Sequence, residues 1–130
     1  MIRGTVNSKK GFYLGDPSYV LSDKIYYDFW GVQKDFADGV FKFKNLYFAV
    51  ASTKYGDGCY EDDDGNEYPV DSGTISLIPL ELVSDKNGLQ YGNVFEILGV
   101  AEFAYEDGVF EVTLPDGHEI RIDTNVDEDE

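Results

Sequence analysis

Short hydrophobic segments with strand-like patterns, separated by turn residues, make up most of the chain. Apolar residues and lysines alternate over residues 40–44, so one side of this segment is apolar and the other is basic. Because side chains on a β-strand point alternately to its two faces, this pattern is typical of a half-buried strand. Residues 46–53 are almost continuously apolar, which predicts a central strand that is covered on both faces.

The strand pattern continues in the second half of the chain. Residues 74–83 are mostly apolar, and Pro79 within them indicates a sheet edge or a bulge, because proline cannot donate a ladder hydrogen bond. A strand-like segment over residues 93–103 leads into short strands over residues 101–105, 109–114 and 119–123. Asp107-Gly108 and Asp116-Gly117 separate these last strands, and Asp-Gly between alternating segments predicts hairpin turns.

A helical pattern occurs over residues 22–33. Ser22 is a candidate N-cap, and the apolar side chains that follow fall on one face, namely those of Ile25, Tyr26, Phe29 and Trp30. We predict a short helix whose apolar face packs on a sheet, with Trp30 as an anchor in the core.

These patterns predict a mainly β fold class, an antiparallel β-sandwich or open barrel with one short α-helix at about residues 22–33. The length suits one domain, which we place at residues 1–124, and we expect the acidic tail 125–130 to be disordered. Cys59 is the single cysteine, so no disulfide can form within the chain. This favours a cytoplasmic location.

The net charge of −16 is distributed unevenly. Residues 1–54 carry five acids and eight bases, whereas residues 55–130 carry 21 acids and two bases, Lys86 and Arg121. A field of this sign repels nucleic acid and acidic membranes, and it attracts cations or a basic groove on another protein. The charge therefore predicts a basic protein partner, with solubility as the alternative explanation.

The most acidic segment covers residues 55–73 and contains seven acids, four glycines and no Lys or Arg. Turn residues divide it into three parts. Residues 56–58 end one strand, residues 63–66 suit a hairpin tip, and residues 71–73 precede the next strand. Turns account for most of the glycines, but they do not account for the missing positive charge.

Two catalytic or metal-binding patterns are partly present. Asp62, Asp64, Gly65 and Asp71 match part of an EF-hand loop, but the first position is Tyr60 and the flanks are not helical. Residues 70–74 have the form of the hydrophobic-Asp-Ser-Gly-Thr signature of aspartic proteases, which need a second aspartate and hence a homodimer here. One His and one Cys argue against a zinc site made by protein side chains alone, and we predict neither a metal nor a cofactor.

Two sequence elements resemble a known group of proteins. The first is Gly-Asp-Pro-Ser-Tyr-Val at residues 15–20, and the second combines Tyr-Gly-Asp-Gly-Cys-Tyr at residues 55–60 with Val-Asp-Ser-Gly at residues 70–73. Together they resemble a loose group of small uncharacterised phage and bacterial proteins. The resemblance implies a cytoplasmic protein of phage or bacterial origin, and it transfers no catalytic residue. Ser18 stands where the resemblance leads us to expect Cys.

The leading functional hypothesis is a non-enzymatic acidic inhibitor. It would be a phage-encoded anti-defence protein, an anti-CRISPR protein or a nuclease inhibitor, whose carboxylates imitate DNA phosphates on the basic groove of a nucleic-acid-binding protein. It would not bind nucleic acid or a membrane itself. The predicted partner-binding residues are Asp57, Glu61, Asp62, Asp63, Asp64, Glu67, Glu106 and Asp107.

Two alternatives remain open. One is a domain that binds a small ligand such as a nucleotide, or a cation such as Ca²⁺, through Tyr55, Asp57, Tyr60, Asp71 and Asp16. For Ca²⁺, Asp57, Glu61, Asp62 and Asp64 are candidates for an oxygen cage. The other alternative is a dimeric hydrolase of the aspartic-protease type that uses Asp71.

Overall fold

Eleven antiparallel β-strands and one ten-residue helix build the protein, whose structure is a computed structural model that describes residues 1–125. The strands are β1 (Ile2–Ser8), β2 (Phe12–Gly15), β3 (Gly39–Phe43), β4 (Leu46–Ser52), β5 (Gly58–Glu61), β6 (Glu67–Val70), β7 (Thr74–Pro79), β8 (Asn93–Phe95), β9 (Gly99–Glu106), β10 (Val109–Thr113) and β11 (Glu119–Asp123). The helix is a π-helix over Lys24–Gln33, and three short 3₁₀-helices cover Pro17–Tyr19, Leu80–Leu82 and Lys86–Tyr91.

The strands form two main sheets and a separate hairpin. The four-stranded sheet has the order β1-β9-β10-β11, and the five-stranded sheet has the order β3-β4-β7-β2-β8. Strands β5 and β6 pair only with each other as a two-stranded sheet. The predicted mainly β fold is confirmed, and because the sheets do not close into a barrel, the architecture is that of a sandwich.

The main core lies between the two sheets. It combines alternate side chains of the four-stranded sheet with alternate side chains of the five-stranded sheet, and the hairpin contributes two tyrosines. Its large members include Phe12, Leu14, Leu77, Phe103, Phe110, Ile122, Tyr60 and Tyr68. The period-two alternation of a strand thus places one face of the four-stranded sheet in the core and leaves the other in solvent.

A second core covers the opposite face of the five-stranded sheet. Tyr13, Phe48 and Ile78 pack there against the helix residues Phe29 and Trp30. The five-stranded sheet is therefore covered on both faces, which explains why β7 is buried along its whole length and β4 is buried over residues 48–51. Strand β4 lies between β3 and β7, as the apolar segment 46–53 predicts.

The helix lies where the sequence predicts it, but its winding is π rather than α. Ile25, Phe29 and Trp30 are buried, at spacings of four and five residues. Hydrogen bonds from residue i to residue i−5, such as Lys34 N to Phe29 O at 3.2 Å, widen the turn and bring these bulky side chains onto one face. The helix begins after Asp23, and no side chain caps it there.

Two strand predictions need correction. Pro79 marks neither an edge nor a bulge, because β7 is central and Pro79 is its last residue, beyond Leu77, where the ladder with β4 ends. The strand-like segment 93–103 is divided between β8 and β9, which belong to different sheets, and Gly99 begins β9 with a φ of +127°. Glycine adopts this backbone conformation readily, whereas residues with a Cβ do so only with strain.

The end of the predicted tail, residues 126–130, lies outside the described residues. Among residues 1–125, no helix is long and apolar enough to span a membrane.

The sandwich predicts that Phe103 contributes strongly to stability. Its side chain is 1 % exposed in the core between the sheets. We expect Phe103→Ala to lower the free energy of unfolding by about 3–5 kcal/mol, since it removes a large buried ring and leaves a cavity. Val32→Ala, at a residue that is 80 % exposed, is the control and should change it by less than about 0.5 kcal/mol. Equal urea midpoints for the two variants would contradict this packing.

Candidate functional site

The acidic segment folds into the β5–β6 hairpin, with residues 62–66 as its tip. Asp62 is 6 % exposed, and its carboxylate organises the tip. Oδ1 accepts hydrogen bonds from the backbone N–H groups of Asp64 and Asn66, both at 2.9 Å, and Oδ2 accepts one from the Tyr68 hydroxyl at 2.7 Å. Burial and the hydrogen bond to Asp62 raise the pKa of Tyr68, so its phenol remains the donor at neutral pH.

Asp62 therefore cannot be a partner-binding residue, because its carboxylate is buried and occupied by the tip itself. The neighbouring acids, Asp63 and Asp64, are exposed, and they contact β11 or the residue just before it. Asp63 N donates to Arg121 O at 3.0 Å, and Arg121 N donates to the Asp63 carboxylate at 3.1 Å. Asp64 Oδ2 lies 3.2 Å from His118 Nε2. The tip thus extends the edge of the four-stranded sheet.

The other predicted partner-binding acids do not gather into one patch. Asp57 and Glu67 are exposed, and Glu61 is half-buried directly opposite Glu67. Glu106 and Asp107 are also exposed, but the Asp107 carbonyl bonds the Asn125 side chain, just after β11.

The tip and the Glu106–Asp107 turn lie at opposite ends of β11. Asp64 contacts His118 just before the strand, whereas Asp107 contacts Asn125 just after it. At about 3.3 Å per residue, the path from His118 to Asn125 spans roughly 20 Å. The two groups of acids therefore lie roughly 20 Å apart, at the two ends of the same strand.

Two of the five residues predicted for a small ligand are buried. Tyr60 is fully buried, and its hydroxyl donates to Gly56 O at 2.8 Å. Asp16 is also fully buried, whereas Tyr55, Asp57 and Asp71 are exposed. Tyr60 and Asp16 therefore cannot contact a ligand from solvent, and the predicted set does not form one binding site.

The buried carboxylate of Asp16 instead joins two turns. Its Oδ1 accepts hydrogen bonds from Ser18 N and Ser72 Oγ, both at 2.8 Å. Its Oδ2 accepts from Asp71 N at 2.6 Å and from Ser72 N at 2.8 Å. We call these four bonds the Asp16 junction. It connects the Gly-Asp-Pro element to the Val-Asp-Ser-Gly element, so the two parts of the sequence resemblance meet in space.

The Asp16 junction also gives the Asp-Ser-Gly-Thr segment a structural role. The Ser72 hydroxyl is turned inward to Asp16. Burial and the nearby Asp71 carboxylate raise the pKa of Tyr19. The contacts of this turn within the chain are structural, and an aspartic-protease dyad based on Asp71 stays a prediction that requires a second copy of the chain.

No group of three or more His, Cys, Asp or Glu side chains within residues 1–125 is arranged to hold a metal ion. The predicted oxygen cage of Asp57, Glu61, Asp62 and Asp64 is not assembled, because Asp62 is directed into the tip. The structure thus gives the Ca²⁺ alternative no ligand set among the side chains that it describes.

The outer face of the four-stranded sheet carries a group of five acids, of which the sequence predicted only Glu106 as a partner-binding residue. Strands β9, β10 and β11 alternate, so that every second residue of each strand faces solvent. We call this surface the acidic face. It comprises Glu102, Glu106, Glu111, Glu119 and Asp123, together with the basic residues Arg3 and Arg121.

The register brings three glutamates of the acidic face close together. Glu102 and Glu119 both pair with Thr113, from opposite sides, which places them about 10 Å apart. Glu111 lies two residues along β10 from Thr113, or about 7 Å. These three side chains line a surface depression of about 420 Å³ beside Ala104.

Positive charge is scarce in this part of the chain. Residues 55–125 contain seventeen acids and two bases. Arg121 lies 3.9 Å from Asp123, and Arg3 borders the depression from β1. Through Asp63 and Asp64, the hairpin tip extends the acidic face beyond β11.

Comparisons with known proteins do not identify a relative. No protein-family model matches the chain, and neither a curated protein nor a solved structure matches it.

The Asp16 junction predicts a large stability loss for Asp16→Asn. An amide offers one acceptor oxygen and turns its NH₂ toward backbone N–H donors, which leaves buried donors unsatisfied. We expect the free energy of unfolding to fall by about 2–4 kcal/mol. The matched control is Asp71→Asn, since the exposed Asp71 contributes its backbone N–H to the junction, and we expect a loss below about 1 kcal/mol. Equal losses in urea unfolding would contradict the assigned role of the Asp16 carboxylate.

Proposed function

We propose that the protein is a non-enzymatic inhibitor that places its acidic face in the basic groove of a protein that handles nucleic acids, such as a nuclease. The acidic face is the observation that carries this proposal. Carboxylates on adjacent strands would occupy the positions of phosphates, and the long-range field of the chain would accelerate the encounter. A phage-encoded anti-defence role, including anti-CRISPR activity, is part of this proposal, and the sequence resemblance contributes only the phage or bacterial origin.

The repulsion between the carboxylates of the acidic face supports a role in binding. Glu102, Glu111 and Glu119 are exposed and do not belong to the core, so packing does not require glutamate at these positions. Glu102 and Glu119 lie about 10 Å apart across Thr113, and like charges at this distance repel each other through the field of the face. A basic groove would relieve this repulsion in the complex.

A role in solubility alone explains the acidic face less well than a role in binding does. Acids and bases that are interspersed keep a protein soluble without building a field of one sign. The helix region has such a mixture, in which Asp23, Asp28 and Asp35 alternate with Lys24 and Lys34. The acidic face instead concentrates five acids against two bases on a single sheet surface.

The proposal is tested by capture and displacement. The immobilised protein is incubated with a bacterial lysate at about 50 mM salt, where electrostatic association is strong, and is then eluted with duplex DNA. We expect a bound protein that DNA displaces. The variant Glu102→Gln/Glu111→Gln/Glu119→Gln should capture at least about tenfold less, because it removes three of the charges that DNA would replace.

The matched control is Asp23→Asn/Asp28→Asn/Asp35→Asn, which removes the same charge from exposed positions in the helix region. We expect this control to capture as much as the unchanged protein does. Equal capture by both variants, or a bound protein that duplex DNA does not displace, would show that the acidic face does not imitate DNA.

A further inference from the structure

A cavity of about 350 Å³ lies between two of the 3₁₀-helices, away from the acidic face. Tyr19 and Tyr91 line it with aromatic rings, whose centroids are 4.8 Å apart and whose planes are tilted by 42°. The remaining lining residues are polar or small and carry no positive charge, namely Ser18, Asp85, Asn87, Gly88 and Gln90.

The backbone holds the two walls of this cavity in place. Ser84 N and Asp85 N both donate to Val20 O, at 2.8 and 3.1 Å. Gly88 is buried against Tyr19, and a Cβ at Gly88 would lie 1.9 Å from the Tyr19 carbonyl oxygen. Residue 88 must therefore be glycine for the two walls to approach this closely.

The polar groups around the cavity are suited to a cation. Asp85 Oδ1 accepts from Asn87 N at 3.0 Å, which leaves the second carboxylate oxygen available at the exposed Asp85. A second carboxylate, that of Asp71, lies near enough to Tyr19 to help raise the pKa of its phenol. Aromatic faces attract cations through the ring quadrupole, and nearby carboxylates add to this attraction.

We propose that this cavity binds an arginine side chain of the basic partner. A guanidinium is planar, stacks on aromatic rings and has only donors, which match the rings of Tyr19 and Tyr91 and the free oxygen of Asp85. The inference deepens the proposed function, on which it rests for the source of the arginine. The acidic face supplies the long-range field, and the cavity supplies one specific contact.

The test uses capped Gly-Arg-Gly as the probe and the same peptide with citrulline, the neutral isostere of arginine, as the reference. In NMR titrations of the intact protein, the arginine peptide should shift the backbone amides of residues 18–19 and 87–91, and the citrulline peptide should not. A lysine peptide should bind more weakly, because an ammonium does not stack.

Asp85→Asn is the decisive variant. Asparagine retains the capping oxygen for Asn87 N and removes the charge, so the fold is preserved. We expect about five- to tenfold weaker binding of the arginine peptide. The matched control is Asp116→Asn, since exposed Asp116 accepts from His118 N in the same way but lies in the β10–β11 turn. Tyr91→Leu should also weaken binding of the arginine peptide, because it removes one of the two aromatic rings of the cavity. Tyr47→Leu, at another exposed tyrosine, should not weaken it.

Equal binding of the arginine and citrulline peptides, tighter binding of the lysine peptide, or unchanged binding by Asp85→Asn would overturn the proposal. The peptide titration can fail while the proposed function holds, and the reverse is also possible. The triple glutamine variant of the acidic face should still bind the arginine peptide in the cavity, because its three substitutions lie on the four-stranded sheet. Partner capture that depends on the acidic face but not on Asp85 would reject only the arginine site in the cavity.

Discussion

The architecture depends on a buried carboxylate. Asp16 is removed from water completely, and a buried charge is tolerated only when donors surround it. The four donors of the Asp16 junction come from two turns that are more than 50 residues apart in the chain. This single group thereby determines where β2 ends and where β7 begins, and it positions Tyr19 at the cavity. Asp62 performs a related task in the hairpin tip, where it joins Tyr68 to the tip backbone.

Packing and charge are separated between the layers of the molecule. The five-stranded sheet is covered on both faces, by the four-stranded sheet and by the helix, and it contributes to both cores. The four-stranded sheet uses only its inner face for packing, so its outer face is free to carry charge. The buried acids, Asp16 and Asp62, stabilise the fold through their hydrogen bonds. The exposed acids repel each other and are the ones for which we propose a partner.

The strands were predictable because hydrophobic alternation and Asp-Gly turns are local signals, as β10 and β11 illustrate. The acidic face could have been predicted by the same reasoning, because the two-residue Asp107-Gly108 turn sets the register that brings Glu102 near Glu111. The Asp16 junction was not predictable from spacing, because a bond across more than 50 residues leaves no local pattern. The division of residues 93–103 between two sheets and the π winding of the helix likewise result from tertiary packing, which overrides local propensity.

The central claim is that carboxylates of the acidic face replace phosphates in a basic groove. The most direct test measures the affinity for the captured partner as a function of salt, for the unchanged protein and for the Glu102→Gln/Glu111→Gln/Glu119→Gln variant. We predict that the affinity falls steeply as salt rises, and that the slope is shallower for the variant because fewer charges meet the groove. An affinity that is independent of salt, with the same value for both proteins, would contradict the account.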